Sequence, residues 1–418
     1  MSYTSQRLRH KHTYTFPFEV RKWFPVPLLN SILRLMLTFK PQPNPHWTSY
    51  YAYAPAIQDY FKNFYDKHNL QEYVKTNTEV ISAEWNDLQG QWKVELKNRI
   101  NGSTFYDTCH VLHNGSGVLT KWKWPAIEGL HEFQGTLAHF AAWPKDLEWA
   151  GKRVAVIGTG SSSIQIVPHV AATASKLSVF MRNVTYIAPQ FGASIDNKEA
   201  DPDSMDPANA AAGKYYCTEK EKQRFHDDPA YLQDYRTRME KSIVGGWDMF
   251  YRGSELNVKF REPPAETHTF KITPSGLVTS SGEDVRVDIL ICATGFDVQY
   301  LPHFKLTGLN GQVMQDQFGP NIYASIAHPG FPNYFVTNGP RGNWAQGCAL
   351  PSHEVQIEYM LQCCQKLQQD HIKSLHPKQR ITDQLNAYED AWHAKHSIWA
   401  EDCKSWYRDN TKDGRVYV

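Results

Sequence analysis

The stretch Arg153-Val-Ala-Val-Ile157-Gly158-Thr159-Gly160-Ser161-Ser162-Ser163-Ile164-Gln165 constrains the fold of this chain more than any other. Its four apolar residues, Val154 to Ile157, read as a buried parallel strand. The Gly-x-Gly turn behind them lets the backbone come close to a pyrophosphate. The Ser run then opens a helix whose N–H groups and positive dipole end favour an anion. The same residues also describe an ordinary tight strand-to-helix turn. The next strand favours the phosphate: Leu177-Ser-Val-Phe-Met181 is apolar and runs into Arg182 and Asn183. NAD-binding folds usually place an acidic residue there for the ribose hydroxyls, whereas an arginine can hold a 2′-phosphate. Residues 158–165 with Arg182 and Asn183 therefore form the candidate NADP-binding set, with NADPH preferred over NADH. A solvated arginine at a strand end is the alternative.

Composition narrows the class. With 418 residues and 41% hydrophobic content the chain can bury a large core, divided into two or three domains. A formal charge of +1 gives no electrostatic case for nucleic acid. Seven cysteines, none in a Cys-x-x-Cys or metal-ligand spacing, point to a reducing compartment, a cytoplasmic protein and no metal site. The most apolar run, residues 25–39, is shorter than the roughly 18–20 residues of a membrane span and contains Arg34 and two prolines. No small-residue cleavage site comes after it, so it reads as an amphipathic helix packed on the protein, without stable membrane insertion.

A second signature precedes the first. Phe133-Gln-Gly135-Thr-Leu-Ala-His139-Phe-Ala-Ala-Trp143-Pro144 resembles the fingerprint of the type I Baeyer–Villiger monooxygenases, a branch of the flavin-containing monooxygenase superfamily. N- and S-oxidising relatives carry Tyr or Phe where this chain has Trp143. The resemblance extends through Pro43-Asn-Pro-His-Trp47, Thr76-Asn-Thr-Glu-Val80, Asn114-Gly-Ser-Gly-Val118, Trp122-Lys-Trp-Pro125, Ala293-Thr-Gly-Phe-Asp297 and Cys403-Lys-Ser-Trp-Tyr407. It implies FAD and NADP as cofactors and a lipophilic ketone as substrate. One oxygen of O₂ would be inserted beside the carbonyl to give an ester or lactone, in secondary metabolism. It also implies a hinge role for His139 and Trp143 between two nucleotide domains, and a flavin contact at Val80. Read from the residues alone, His139 is an ordinary structural histidine.

The resemblance implies an α/β protein of two Rossmann-like nucleotide-binding domains, the first incomplete. Residues 1–148 would be the remnant of the FAD domain. Residues 149–296 would form the NADP domain with a helical insertion at about 196–260, and 297–418 would return to the first lobe with a long helix at 352–369. Two departures matter. There is no glycine before Gly90, so the strand–Gly-x-Gly-x-x-Gly–helix unit that holds the FAD pyrophosphate is not found, and flavin binding by this sequence is expected to be weak. The family's Lys-Arg pair after the insertion has no clear counterpart, and Lys259 and Arg261 read as surface cations. The reading from a different class is a non-redox, NADP-binding relative that serves as a binding or scaffold protein. Trp344, in the stretch Asn338-Gly-Pro-Arg-Gly-Asn-Trp344, is expected to supply pocket wall.

Overall fold

The computed structural model describes residues 43–48, 52, 54–181, 217–245, 251–254, 270–298, 300–317, 321–342, 349–400, 408, 411 and 413–417. The run at 25–39, Lys259, Arg261, Arg182, Asn183, Trp344 and the stretch 403–407 lie outside them.

The first lobe begins with helix α1 (Ala54–Lys67) and an antiparallel meander of β1 (Thr78–Asn86), β2 (Gln91–Asn98) and β3 (Thr104–Cys109). Alternation selects the pairing: Trp85 faces Trp92 across the β1–β2 hairpin, the rings 5.5 Å apart. Gly90, at φ 65°, closes the turn in the left-handed region. Short β4 (Leu112–Asn114) comes next.

The second lobe is built on a four-stranded parallel sheet. Its strands are β5 (Thr136–His139), β6 (Arg153–Ile157) and β7 (Lys176–Phe180), with helix α2 (Ser163–Ala171) between the last two. Helices α3 (Glu219–Asp227) and α4 (Pro229–Gly245) stand in the expected insertion. A capping box on Thr218 and Glu221 starts α3. An antiparallel sheet of β8 (Phe270–Thr273), β9 (Gly276–Thr279) and β10 (Asp284–Arg286) leads into β11 (Ile289–Cys292), which enters the parallel sheet. The order β5-β11-β6-β7 draws β5 from the segment ahead of residue 149.

Successive residues of β6 and β11 serve opposite faces, as a pleated strand covered on both sides requires. Val154, Val156, Ile289 and Ile291 pack with Val170 of α2, whereas Ala155, Ile157, Leu290 and Cys292 pack with Leu130, Ile272 and Leu277. The chain next returns to the first lobe. Strand β12 (Lys305–Thr307) pairs parallel with β1, and β13 (Tyr334–Val336) pairs with β4. Helices α5 (Ala349–Gln369) and α6 (Gln379–His396) complete the described elements. The expected helix at 352–369 thus starts three residues earlier. The apolar stretch at 285–293 divides into two strands, because Val287 and Asp288 carry the chain from one sheet to the other.

Candidate functional site

Three neighbouring features gather the residues singled out by sequence. The first is the turn after β6. Strand β6 is flanked by β7 on one side and β11 on the other, so the chain order reverses beside it, the place where open α/β sheets bind ligands at their C-terminal strand ends. Gly158 lies there, with φ 108° and an N–H that donates to Phe180 O at 2.9 Å. A Cβ on Gly158 would stand 2.4 Å from Ala293 O, at the end of β11, so the fold itself demands glycine. Gly160 is different. Its backbone is outside the left-handed region and a Cβ would meet nothing within 4 Å, so nothing in the described protein requires glycine there.

Behind the turn, α2 begins without a side-chain cap, although Ser162 occupies the N-cap. Its first intrahelical bonds start at Ile164 N–H, to Gly160 O at 3.2 Å. The N–H groups of a helix's first turn have no intrahelical acceptor, and the helix dipole adds a positive field at this end. Ser163 is buried, Ile164 is 54% exposed beside the turn, and Gln165 Nε2 donates to Ser161 O at 2.7 Å. Thr159 stands between the two glycines.

The second feature is the junction at His139. Its ring, 1% exposed, ends β5 and stacks on Trp122 at 4.4 Å and 17°, with Trp124 edge-on at 5.5 Å. Ala141 N–H donates to Nδ1 at 3.2 Å, and Nε2 reaches Thr294 Oγ1 at 3.5 Å, a marginal contact. Burial pulls the pKa down to about 4, so the ring is neutral at neutral pH, with its proton on Nε2. The two chain segments that pass between the lobes meet here. Asp297 N–H donates to Lys121 O at 2.8 Å, the Lys123–Asp297 ion pair spans 2.6 Å, and Thr120 bonds His303. Trp143 packs into the core that includes Val154 and Val170, edge-on to Trp149 at 5.9 Å.

The third feature is a cleft in the first lobe, walled by Asn114, Ser116, Tyr300, His328, Asn338 and Gly339 among others. The Asn114–Val118 turn was singled out by sequence, and residues 338–342 belong to the stretch that leads to Trp344. His328 and Tyr300 were not, because only the pairing of β4 with β13 and the return of the chain bring them there. Val80 does not line the cleft. It packs on the Trp85–Trp92 cluster, which also holds the cleft residues Met314 and Tyr334. Asn338 is left-handed (φ 59°) and fixed by Gln356 of α5, whose Oε1 accepts its N–H at 2.8 Å. Buried Arg341 holds the same turn. Its Nε donates to Val416 O at 3.1 Å and its NH1 to Glu389 at 2.6 Å, and it also pairs with Asp390. Among the described residues no cluster of ligating side chains could hold a metal ion. No described helix is long and apolar enough to cross a membrane.

A parallel sheet with a switch point, and a helix behind a Gly-x-Gly turn, define an α/β architecture of a kind that can take a dinucleotide. Comparison with known proteins carries the assignment further. The family described as flavin-binding monooxygenase-like matches residues 27–194. The FAD-binding monooxygenase stcW of Emericella nidulans is 33% identical over 427 residues, covering 89% of this chain and 68% of the relative. The Baeyer-Villiger monooxygenase of Pseudomonas aeruginosa is 26% identical over 397 residues, covering 88% of this chain and 74% of that one. The NADP⁺-bound crystal structure of cyclohexanone monooxygenase from Rhodococcus sp. Phi1 shares the fold, with TM-score 0.67 and 21% identity over 93% of this chain and 85% of that chain. The chain belongs to the flavin-binding monooxygenase family.

Proposed function

We propose that this chain is an FAD- and NADPH-dependent monooxygenase of the Baeyer–Villiger type. It takes a lipophilic ketone, of the secondary-metabolite kind, and inserts one oxygen of O₂ beside the carbonyl to give an ester or lactone. The observation that carries the reading is Gly160, a glycine that neither backbone angle nor neighbouring atoms require, at the mouth of an uncapped helix. A close-lying pyrophosphate explains it. The FAD- and NADP-bound relatives of the same fold support both cofactors.

The residues present fit NADP, whereas the residues before Gly90 offer no glycine turn for the FAD pyrophosphate, so flavin would be held weakly. The turn Gly158-Thr159-Gly160-Ser161-Ser162-Ser163-Ile164-Gln165 would hold the NADP pyrophosphate on backbone donors, and Arg182 with Asn183 the 2′-phosphate. The cleft beside Asn114 and Asn338 would hold the flavin, with Val80 supporting its wall from the core. FAD supplies the oxygen and redox chemistry when bound; the protein binds, orients and keeps water out. His139, neutral and stacked, ties both lobe crossings together, so we assign it to hinge positioning rather than to proton transfer, with Trp143 anchoring β5 to the NADP lobe. We keep the division into 1–148, 149–296 and 297–418 with one change, since β5 of the first segment belongs to the NADP lobe's sheet, and we assign the protein to the cytoplasm.

The test is turnover. Purified chain, supplied with excess FAD, NADPH and a panel of lipophilic cyclic ketones under ¹⁸O₂, is expected to give ester or lactone two mass units heavier. NADPH is expected to support it better than NADH. Saturable NADPH binding with no oxygen-dependent product from any ketone would overturn the enzymatic reading and leave the binding-protein one.

A further inference from the structure

Four charged side chains close on one another between the turn after β13, helix α6 and the segment 414–417. Arg341 carries the turn at φ 65°, and its side chain is only 5% exposed. The guanidinium donates from all three nitrogens. Nε reaches Val416 O at 3.1 Å, NH1 reaches Asn386 O at 3.1 Å and Glu389 Oε2 at 2.6 Å, and NH2 reaches Asp390. Asp390 is shared: Arg415 forks onto it, Nε to Oδ1 at 3.0 Å and NH2 to Oδ2 at 2.7 Å.

The quartet fixes the 414–417 segment, and that segment reaches the 294–303 crossing between the lobes. Val416 and Tyr417 are buried, and Arg341 N–H donates to Tyr417 O at 3.3 Å. The same carbonyl accepts from Tyr300 Oη at 3.3 Å, and the two tyrosine rings lie 5.3 Å apart. Tyr300 stands in the same crossing as Asp297, which is tied to Lys121 and Lys123. Its φ of 54° lies in the left-handed region, which a bulky aromatic residue keeps only where its surroundings hold it. A buried ion quartet is a poor source of stability, because desolvation cancels much of the attraction and apolar residues of equal volume do as well. What it supplies is one geometry: a guanidinium forked onto fixed oxygens admits a single placement.

We propose that Arg341, Glu389, Asp390 and Arg415 are positioning residues that set the 294–303 crossing through Tyr417 and Tyr300. The quartet thereby sets how the NADP lobe sits against the first lobe during turnover. The role in turnover rests on the monooxygenase reading. None of the four lies on the Gly158–Gln165 turn, so the effect falls on the yield of product per NADPH and not on NADP affinity.

Two variants test this from opposite ends of the chain of contacts. Arg341→Lys keeps the charge, so that neither carboxylate is left bare, and removes the fork. Tyr417→Ala leaves the quartet whole and removes its link to Tyr300. Amide hydrogen exchange and melting curves are measured on both and on wild type, with turnover in excess FAD. Both variants should speed exchange in 294–303 at least about tenfold and leave residues 153–171 of the β6–α2 unit unchanged. Product per NADPH should fall at least about twofold, with KM for NADPH kept within about twofold. Exchange in 294–303 equal to wild type in either variant overturns the assignment. So does faster exchange throughout the chain with a lowered Tm, which marks a general loss of stability. Faster exchange confined to 294–303 with product per NADPH unchanged overturns the role in turnover. If wild type converts no ketone, the monooxygenase reading falls, and the exchange pattern still decides whether the quartet sets the crossing.

Discussion

His139 and His328 share one electrostatic state by the same cause. Burial holds both near pKa 4 against an ordinary 6.5, so each is neutral in the folded protein. Between those values the unfolded chain binds more protons than the folded one. Stability is therefore full above about pH 6.5 and is lost as pH falls towards 4, by about 1.4 kcal/mol per pH unit for each histidine. Denaturant unfolding at pH 5 and pH 7 should show this slope, and replacing both rings with Phe should flatten it; an unchanged slope would mean that neither ring is buried neutral. The two residues part in what substitution does. His139→Ala removes the stack on Trp122 and strands the Ala141 N–H, at a cost of about 3 kcal/mol. In the active enzyme it should also lower the product formed per NADPH consumed more than it lowers NADP affinity. Unaltered coupling with only a lower Tm would return His139 to a purely structural role.

At the scale of elements, β6, its turn and α2 form a unit whose chemistry is local. Gly158→Ala places a Cβ 2.4 Å from Ala293 O on a backbone at φ 108°. Strain and overpacking together should cost about 2–5 kcal/mol, read as a fall in unfolding midpoint; a shift near zero would mean the turn relaxes freely. Because strand, turn and helix start lie within thirteen successive residues, the sequence displayed them plainly, as it did β9 and the helical character of residues 219–245. The walls of the cleft were another matter. Strands β4 and β13 meet across more than 200 positions, so the convergence of Asn114, His328 and Asn338 left no local mark. Nothing local to the Asn338–Gly342 stretch told that Arg341 would be clamped between α6 and residue 416. Boundaries suffered for a related reason. Pairing of β5 with β11 is long-range, and it alone sets where the parallel sheet begins.

Among the described residues, the chain passes between the lobes at about 118–124 and 294–303, and these two segments are tied at one place. Asp297, Lys121, Lys123, Thr120 and His303 bind the crossings to each other, and His139 stacks beneath them. Such a knot holds the two crossings in one register. The Lys123–Asp297 pair is largely exposed on its lysine side, so Lys123→Ala should cost under about 1 kcal/mol of stability, and a larger Tm loss would show the pair is stronger than a surface bridge. The dinucleotide turn is tested by calorimetric titration of NADP⁺ into wild type and Gly160→Val, beside their melting curves. A Cβ at Gly160 touches nothing within 4 Å, so the free variant should melt as wild type does. If the pyrophosphate lies against that backbone, a valine forfeits one or two charge-assisted hydrogen bonds, and Kd should rise at least about tenfold. An unchanged Kd in a stable Gly160→Val protein would show that no dinucleotide sits at this turn.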